Sequence, residues 1–148
     1  MSQGVKLPDA NYILRYLLKD VKKQYEKAKE FFDLVKIDED KAYIMEGVLA
    51  ECVYVMTGDE YKIPGPKVAE MLEDLVYYQG VVNKNKREIS WALRKFGDGG
   101  IDFVDCLLIA RAINRSMEPR TFDKQVKKLL EEPDTEYFRI ARRIDPYI

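Results

Sequence analysis

Apolar residues recur along this chain in two kinds of pattern. Seven segments place them at intervals of three and four, which is typical of helices that bury one face. Between these segments lie short apolar runs bounded by turn residues, which are typical of strands. We predict helices at residues 11–19, 21–36, 47–56, 66–78, 86–96, 102–117 and 124–131, and strands at residues 5–7, 42–45, 81–83 and 120–122.

Short apolar strands that alternate with helices favour a parallel sheet covered on both faces. The predicted fold class is therefore α/β, a three-layer α/β/α sandwich with a short, mainly parallel central sheet. We place one domain at residues 1–130, followed by a C-terminal extension at residues 131–148 with a helical pattern at 135–144. No apolar run approaches the roughly 18 residues of a membrane span and no secretion signal precedes the domain, so we expect a cytoplasmic protein.

Asp105 interrupts an otherwise apolar segment, FVDCLLIA at residues 103–110. We expect this helix to be buried on almost every side, with Leu108 and Ile109 one turn on from the carboxylate. An unpaired buried carboxylate is unfavourable. The pattern therefore indicates either a functional group or a helix start, with Asp102 as the N-cap residue and Asp105 favoured by the helix dipole.

Three further acids occupy comparable places. Asp9 follows the first predicted strand, Glu51 lies within the apolar segment 48–55, and Asp123 follows the last predicted strand. The chain contains no histidine, so a site built from these acids has only oxygen ligands, which suits Mg²⁺ or Mn²⁺ and argues against zinc. Each acid also has a structural explanation, Asp9 and Asp123 as N-caps and Glu51 as part of an exposed helix face.

Charge is unevenly distributed although the net charge is −1. Residues 111–143 hold nine basic and six acidic side chains, whereas residues 1–110 hold 16 basic and 19 acidic ones. If metal neutralises the four acids, the rest of the chain is positive, which favours a polyanion as partner. A scattered, solvated surface is the simpler explanation of charge alone. Cys52 and Cys106 lie in apolar helical runs without metal-ligand spacing, and we expect both to be core thiols.

Four motifs occur in order: DANYILR at residues 9–15, VLAECVYV at 48–55, IDFVDCLL at 101–108 and TFD at 121–123. Together they resemble the PIN-domain nucleases, and among these the VapC toxins of bacterial and archaeal toxin–antitoxin pairs. The likeness covers residues 5–130, and four motifs in order are more specific than any one. Pro8 directly before the first acid and the extension beyond residue 130 depart from the family pattern.

The resemblance implies a ribonuclease that depends on Mg²⁺ or Mn²⁺ and cleaves structured RNA to 5′-phosphate and 3′-hydroxyl ends. It also implies two partners, a small antitoxin protein and a second copy of the chain. The catalytic and metal-binding acids would be Asp9, Glu51, Asp105 and Asp123. The supporting positions would be Asn11, Asp102 and Thr121. Four basic side chains are candidates to hold RNA phosphates, each with a generic surface role as the alternative: Arg15, Arg111, Arg115 and Lys124.

Other interpretations stay open at this point. A receiver-like signalling module would also bind Mg²⁺ in an acidic pocket, but Asp9 stands alone after the first strand and Lys124 follows Asp123 directly. A non-catalytic PIN-like scaffold is disfavoured because all four acids are present. An apolar stripe at helical spacing predicts a homodimer surface, with core packing within the chain as the alternative. Its residues are Val68, Met71, Leu72, Leu75 and Val76.

Overall fold

The structure is a computed structural model that describes residues 4–132. Within this range the regular secondary structure consists of seven α-helices, and each overlaps one of the predicted helices. They are α1 (Ala10–Leu18), α2 (Lys22–Lys36), α3 (Glu46–Thr57), α4 (Gly65–Val76), α5 (Lys86–Asp98), α6 (Phe103–Asn114) and α7 (Lys124–Leu129). The helix positions predicted from apolar periodicity are thus confirmed. No helix in residues 4–132 has both the length and the apolar character that crossing a bilayer requires.

The predicted sheet is the main correction. Residues 4–132 contain no β-strand, so the expected α/β/α sandwich with a central sheet is wrong, and this part of the chain is mostly helical. Parallel pairing is limited to two isolated bridges, from Lys6 to Ala42 and from Ala42 to Val81. The fourth predicted strand, at residues 120–122, forms no regular structure.

Both bridges end after one residue because the next backbone partner is missing. The Lys6 carbonyl accepts the Tyr43 N–H at 2.9 Å. Two residues on, Pro8 stands where a continued ladder needs an N–H, and proline has none. At the second bridge a side chain replaces the backbone, because the Ile44 N–H donates to Oδ1 of Asn83 at 2.8 Å. These segments therefore pair in parallel without becoming strands.

The chain divides into two compact units, of which the first spans Met1–Lys84 and contains α1 to α4. Its core includes Phe32 on α2 and Leu49 on α3, both without solvent exposure. The ring centroid of Phe32 lies 4.7 Å from that of Tyr16 and 6.0 Å from that of Tyr12, both on α1. This aromatic contact joins α1 to α2 and positions the start of α1, where Asp9 lies.

The second unit begins at Asn85 and, within the described residues, contains α5, α6 and α7. Ile109 of α6 forms a buried cluster with Val126 and Leu129 of α7. The cluster holds α7 against α6, and Asp123 at the start of α7 is positioned with it. The helix predicted at residues 135–144 lies outside the described residues, so the domain boundary near residue 130 stays a prediction.

The burial predicted for α6 is too complete. Val104 is 51% exposed and Leu108 is 41% exposed, whereas Phe103, Cys106 and Ile109 are buried. The helix therefore buries one broad face and leaves an apolar strip open to solvent. Asp105 lies at the border of these two faces, where it is half-buried.

The apolar residues of α4 belong to the core. Four of the five residues that suggested a dimer surface are at most 1% exposed, and Met71 is half-buried. The four are Val68, Leu72, Leu75 and Val76. The structure thus supports core packing within the chain for this stripe, and the homodimer stays a prediction that needs another surface.

Candidate functional site

Asp9 is the N-cap residue of α1. Its Oδ1 accepts the backbone N–H of Tyr12 at 2.8 Å, and its own backbone is extended, as is usual at this position. Capping occupies one carboxylate oxygen, while the other has no hydrogen-bond partner among the described residues. Asn11 is exposed in the first turn of the same helix. Asp9 is therefore both a helix cap and an available acidic group.

Glu51 is exposed on α3, in the same unit as Asp9. Its neighbour Cys52 is fully buried, and the thiol donates to the carbonyl of Ala10 at 3.8 Å. Burial raises the pKa of Cys52 to about 12, and the negative charges of Glu51 and Asp9 act in the same direction. Asp9 and Glu51 are thus both close enough to Cys52 for their charges to raise the pKa of its thiol.

A cavity of about 400 Å³ opens beside Asp9. Its wall includes the rings of Tyr12 and Phe31, which meet edge to face with centroids 5.9 Å apart. Lys6 at the cavity is paired with Asp40 at 2.7 Å. The lining is completed by Leu7 and Pro8. The cavity therefore offers mainly apolar and aromatic surface next to one carboxylate, at the small end of the range for ligand pockets.

Asp105 lies in the first turn of α6, in the second unit. Within residues 4–132 its carboxylate has no hydrogen-bond or ion-pair partner. Burial raises its pKa above the ordinary value of 3.8, and the charges of Asp102 and Asp123 raise it further. Asp102 occupies the N-cap position of α6, but its side chain makes no capping hydrogen bond. Capping therefore accounts for neither Asp102 nor Asp105.

Asp123 is the N-cap residue of α7. Its Oδ1 accepts the backbone N–H groups of Gln125 at 2.8 Å and of Val126 at 3.1 Å. The Asp123 N–H in turn donates to Oγ1 of Thr121 at 3.0 Å. Thr121 thus holds the backbone that presents Asp123. The second carboxylate oxygen of Asp123 has no hydrogen-bond partner in the part of the chain that the structure describes.

The four predicted metal-binding acids divide between the two units, with Asp9 and Glu51 in the first and Asp105 and Asp123 in the second. In residues 4–132 no group of three or more acidic or cysteine side chains is arranged to hold a metal ion. The donor chemistry still fits Mg²⁺ or Mn²⁺, because within residues 4–132 the Asp105 carboxylate is unpaired and experiences the negative charges of Asp102 and Asp123. Mg²⁺ commonly takes one or two carboxylates and keeps several waters, so it needs fewer protein ligands than three.

Arg15 is already held inside the first unit. Its Nη1 donates to Oδ1 of Asp20 at 2.7 Å, and the hydroxyl of Tyr61 donates to the other oxygen at 2.6 Å. The Tyr61 hydrogen bond and the charge of Arg15 lower the pKa of Asp20. The side chain of Arg15 is 15% exposed. Phosphate binding by Arg15 would therefore have to displace Asp20.

Arg111 and Arg115 converge on Glu88, an α5 residue that is 1% exposed. Nε of Arg111 donates to its Oε1 at 2.8 Å, and Nε of Arg115 donates to its Oε2 at 2.9 Å. Nδ2 of Asn114 also donates to Oε2, at 2.6 Å. Burial on its own would raise the pKa of Glu88, but hydrogen bonds from these three side chains outweigh it and lower the pKa. The cluster links α5 to α6.

Sequence reasoning missed Glu88 and treated Arg111 and Arg115 as candidates to hold RNA phosphates, with a generic surface role as the alternative. The signal was available in the spacing, because Arg111, Asn114 and Arg115 are three and four residues apart and share one face of α6. Lys124 differs from these arginines, since it is exposed at the start of α7 and has no ion-pair partner within residues 4–132. Of the four predicted phosphate-binding side chains, Lys124 is the one left available.

No protein-family model, curated protein or solved structure matches the chain. Function is therefore inferred from the residues of this chain. The informative groups are the Asp105 carboxylate, which is unpaired within residues 4–132, the Asp123 carboxylate, which uses one oxygen to cap α7, and the exposed side chains that surround α7.

Proposed function

We propose that this protein is a metal-dependent endoribonuclease that hydrolyses RNA phosphodiester bonds with Mg²⁺ or Mn²⁺. The observation that carries the proposal is the Asp105 carboxylate, which is half-buried, unpaired within residues 4–132, and repelled by Asp102 and Asp123. Repulsion of this kind opposes folding and is enriched at functional sites. The order of the acidic motifs, which resembles that of PIN-domain nucleases, supports the same reaction. The reaction is inferred from the acids and not from the fold, because the described residues lack the expected sheet.

The residues of the second unit have distinct roles in this proposal. A bound Mg²⁺ or Mn²⁺ would supply an activated water and offset the charge that develops on phosphorus. Asp105 would be its principal ligand, with Asp102 and Asp123 contributing further negative charge. Thr121 would keep Asp123 in place through its hydrogen bond to the Asp123 backbone. Lys124, exposed directly after Asp123, would attract an RNA phosphate.

The test is RNA cleavage by purified protein in Mg²⁺, Mn²⁺, Zn²⁺ or excess chelator. We expect cleavage with Mg²⁺ or Mn²⁺, loss of cleavage in chelator, and no recovery with zinc, which prefers nitrogen and sulfur ligands. Asp105→Asn keeps the side-chain shape, removes the charge and should abolish cleavage. Asp74→Asn changes an exposed acid on α4, in the first unit, and is the control that should stay active. Cleavage in excess chelator, or full activity in Asp105→Asn, would overturn the proposal.

A second variant asks whether the acids of the first unit take part. Asp9→Asn retains a competent N-cap for α1, so its fold should be preserved. If Asp9 and Glu51 contribute to the same reaction, Asp9→Asn should abolish cleavage as Asp105→Asn does. Retained activity in Asp9→Asn would confine the proposed site to the second unit.

From the resemblance to VapC toxins we also propose two protein partners. One is a small antitoxin that blocks the acidic side chains, and the other is a second copy of the chain. A cytoplasmic location belongs to the same proposal, since two buried free thiols, Cys52 and Cys106, suit a reducing compartment. The antitoxin would be supported by a small DNA-binding protein that is encoded by a neighbouring gene, copurifies with the chain and inhibits cleavage. Light scattering at micromolar concentration tests the homodimer, which a monomer mass would exclude.

A further inference from the structure

Phe122 is fully open to solvent, with a relative exposure of 101%, the largest value among the large hydrophobic residues of residues 4–132. Its backbone is nevertheless well held. On either side of it, Thr121 accepts the Asp123 N–H and Asp123 caps α7. These hydrogen bonds fix the backbone next to a ring that is itself fully exposed. A single exposed hydrophobic residue is common on protein surfaces, so the case for a binding surface depends on the side chains around the ring.

The surroundings of Phe122 are basic. Arg120, two residues before it, has an 86% exposed side chain, and Lys124 follows two residues after it. Along α7, Lys124, Lys127 and Lys128 are exposed while Val126 and Leu129 are buried. Residues three and four apart share one helix face, so these three lysines form a cationic strip on the solvent side of α7. The acids that oppose this charge include Glu118, which lies 3.5 Å from Arg120, Asp123, and the exposed Glu131, three residues after Lys128.

An exposed aromatic ring beside a cationic strip matches the needs of a single-stranded nucleic acid. Unpaired bases stack on aromatic side chains, while lysines and arginines follow the phosphates. A protein partner fits less well, because lysine is depleted in the buried centre of protein interfaces. We propose that Phe122 is a stacking platform for an unpaired base of bound RNA, with the α7 lysines holding the neighbouring phosphates. The choice of RNA as the nucleic acid rests on the proposed ribonuclease function.

The test measures binding and not cleavage. A short fluorescein-labelled oligouridylate is titrated with the full chain in excess chelator and followed by fluorescence anisotropy. Phe122→Ala removes the stacking of one base and should therefore bind the oligouridylate roughly 5-fold or more weakly than the parent chain. Phe122→Trp should retain the affinity of the parent chain. Tyr54→Ala is the matched control, since Tyr54 is 79% exposed on α3 and should have no effect.

Two further arms separate stacking from charge. Lys127→Gln combined with Lys128→Gln should weaken binding and reduce the salt dependence, by about 0.7 in the logarithmic slope for each phosphate that is no longer neutralised. Phe122→Ala should leave that slope unchanged. Inorganic polyphosphate is then used to displace the labelled oligouridylate. The parent chain and Phe122→Ala should have equal affinity for polyphosphate, because polyphosphate has no bases to stack.

Equal oligouridylate affinity in the parent chain and Phe122→Ala overturns the inference, whether or not the protein cleaves RNA. So does a parent dimer that Phe122→Ala converts to a monomer with unchanged RNA affinity, since the ring would then be a protein interface. If cleavage is absent but Phe122→Ala weakens oligouridylate binding, the ribonuclease proposal fails and the stacking platform stands. The two failures are therefore distinguishable.

Discussion

The side-chain amide of Asn83 binds both polar backbone groups of Ile44. The Ile44 N–H donates to Oδ1 at 2.8 Å, and Nδ2 donates to the Ile44 carbonyl at 2.8 Å. Both residues are buried, Asn83 at 5% and Ile44 at 0% exposure. One side chain thus performs the pairing that a second backbone segment performs in a sheet. It also ends the pairing, because the Ile44 N–H, which a continued ladder would need, is already donated to Asn83.

Replacing Asn83 by alanine should destabilise the chain substantially. Asn83→Ala leaves the N–H and the carbonyl of Ile44 buried without these partners, and each loss costs about 1–2 kcal/mol. We expect the free energy of unfolding, measured by urea denaturation, to fall by about 2–4 kcal/mol. Lys84→Ala, at the exposed next residue, is the control and should change it little. A midpoint for Asn83→Ala that equals the control would contradict this account.

The helices were predictable because a helix makes its backbone hydrogen bonds within one segment. The spacing of apolar residues in that segment is therefore enough to indicate it. The sheet was not predictable, because a strand needs partners elsewhere in the chain. The predicted strand segments at Lys6, Ala42 and Val81 do pair in parallel. Their extension depended on two single residues, Pro8 without an N–H and Asn83 with a competing amide. Apolar and β-branched content does not reveal such local competition.

Glu88→Gln should be strongly destabilising although it changes few atoms. It removes the charge that Arg111 and Arg115 share, and hydrogen bonds to charged groups contribute about 1.5–3 kcal/mol. Because both guanidinium groups are partly solvated, at 28% and 46% exposure, we expect a loss of about 2–3 kcal/mol in urea denaturation at neutral pH. Glu118→Gln, at a 76% exposed acid, is the control and should change stability little.

The candidate site was predictable as a set of residue types but not as an arrangement. Asp105 attracted attention because it interrupts an apolar run, and the structure leaves it unpaired within residues 4–132. Asp9 and Asp123 turned out to cap helices as well, since an N-cap uses one carboxylate oxygen and leaves the other available. The roles of Arg111 and Arg115 depended on Glu88, which lies on another helix. Pairing across helices is a tertiary property that spacing along one segment does not define.

The two cysteines should be unreactive in the folded chain. Burial, followed by the charges of nearby acids, raises the pKa of both Cys52 and Cys106 to about 12. At pH 8 the thiolate fraction would then be about one part in ten thousand. We expect iodoacetamide to label neither thiol in buffer over a period that labels both completely in denaturing urea. Rapid labelling of one thiol in the native chain would show that its site opens or that its pKa is near normal.

Asp123 should reveal two separable roles. Asp123→Asn retains an N-cap and should leave stability almost unchanged, whereas Asp123→Ala loses the hydrogen bonds to Gln125 and Val126 and should cost about 1 kcal/mol. Under the proposed function both variants should lose RNA cleavage. Melting temperature and cleavage rate, measured on the same preparations, separate the two effects. A fully active Asp123→Asn would leave Asp123 as a helix cap alone.

Asp105 should oppose folding at neutral pH in metal-free buffer. Its pKa is raised above the ordinary 3.8 by burial and by the charges of Asp102 and Asp123, so the folded chain holds this proton more tightly than the unfolded chain. Stability from this group is therefore gained as the pH falls through the raised pKa and is lost as the pH rises through it. Asp105→Asn should be more stable than the parent at neutral pH, and the difference should shrink as the pH falls toward 3.8.

Glu88→Gln provides the comparison of opposite sign. The pKa of Glu88 is lowered below the ordinary 4.5, so its stabilising effect is present above that value and is lost as the pH falls through the lowered pKa. At neutral pH the parent should be more stable than Glu88→Gln but less stable than Asp105→Asn. Both differences in the free energy of unfolding should shrink in acid. Urea denaturation of the three proteins at a series of pH values, in excess chelator, measures both differences. If Asp105→Asn is less stable than the parent at neutral pH, the Asp105 carboxylate has a favourable partner. It would then not be the unpaired, repelled carboxylate on which the proposed site depends.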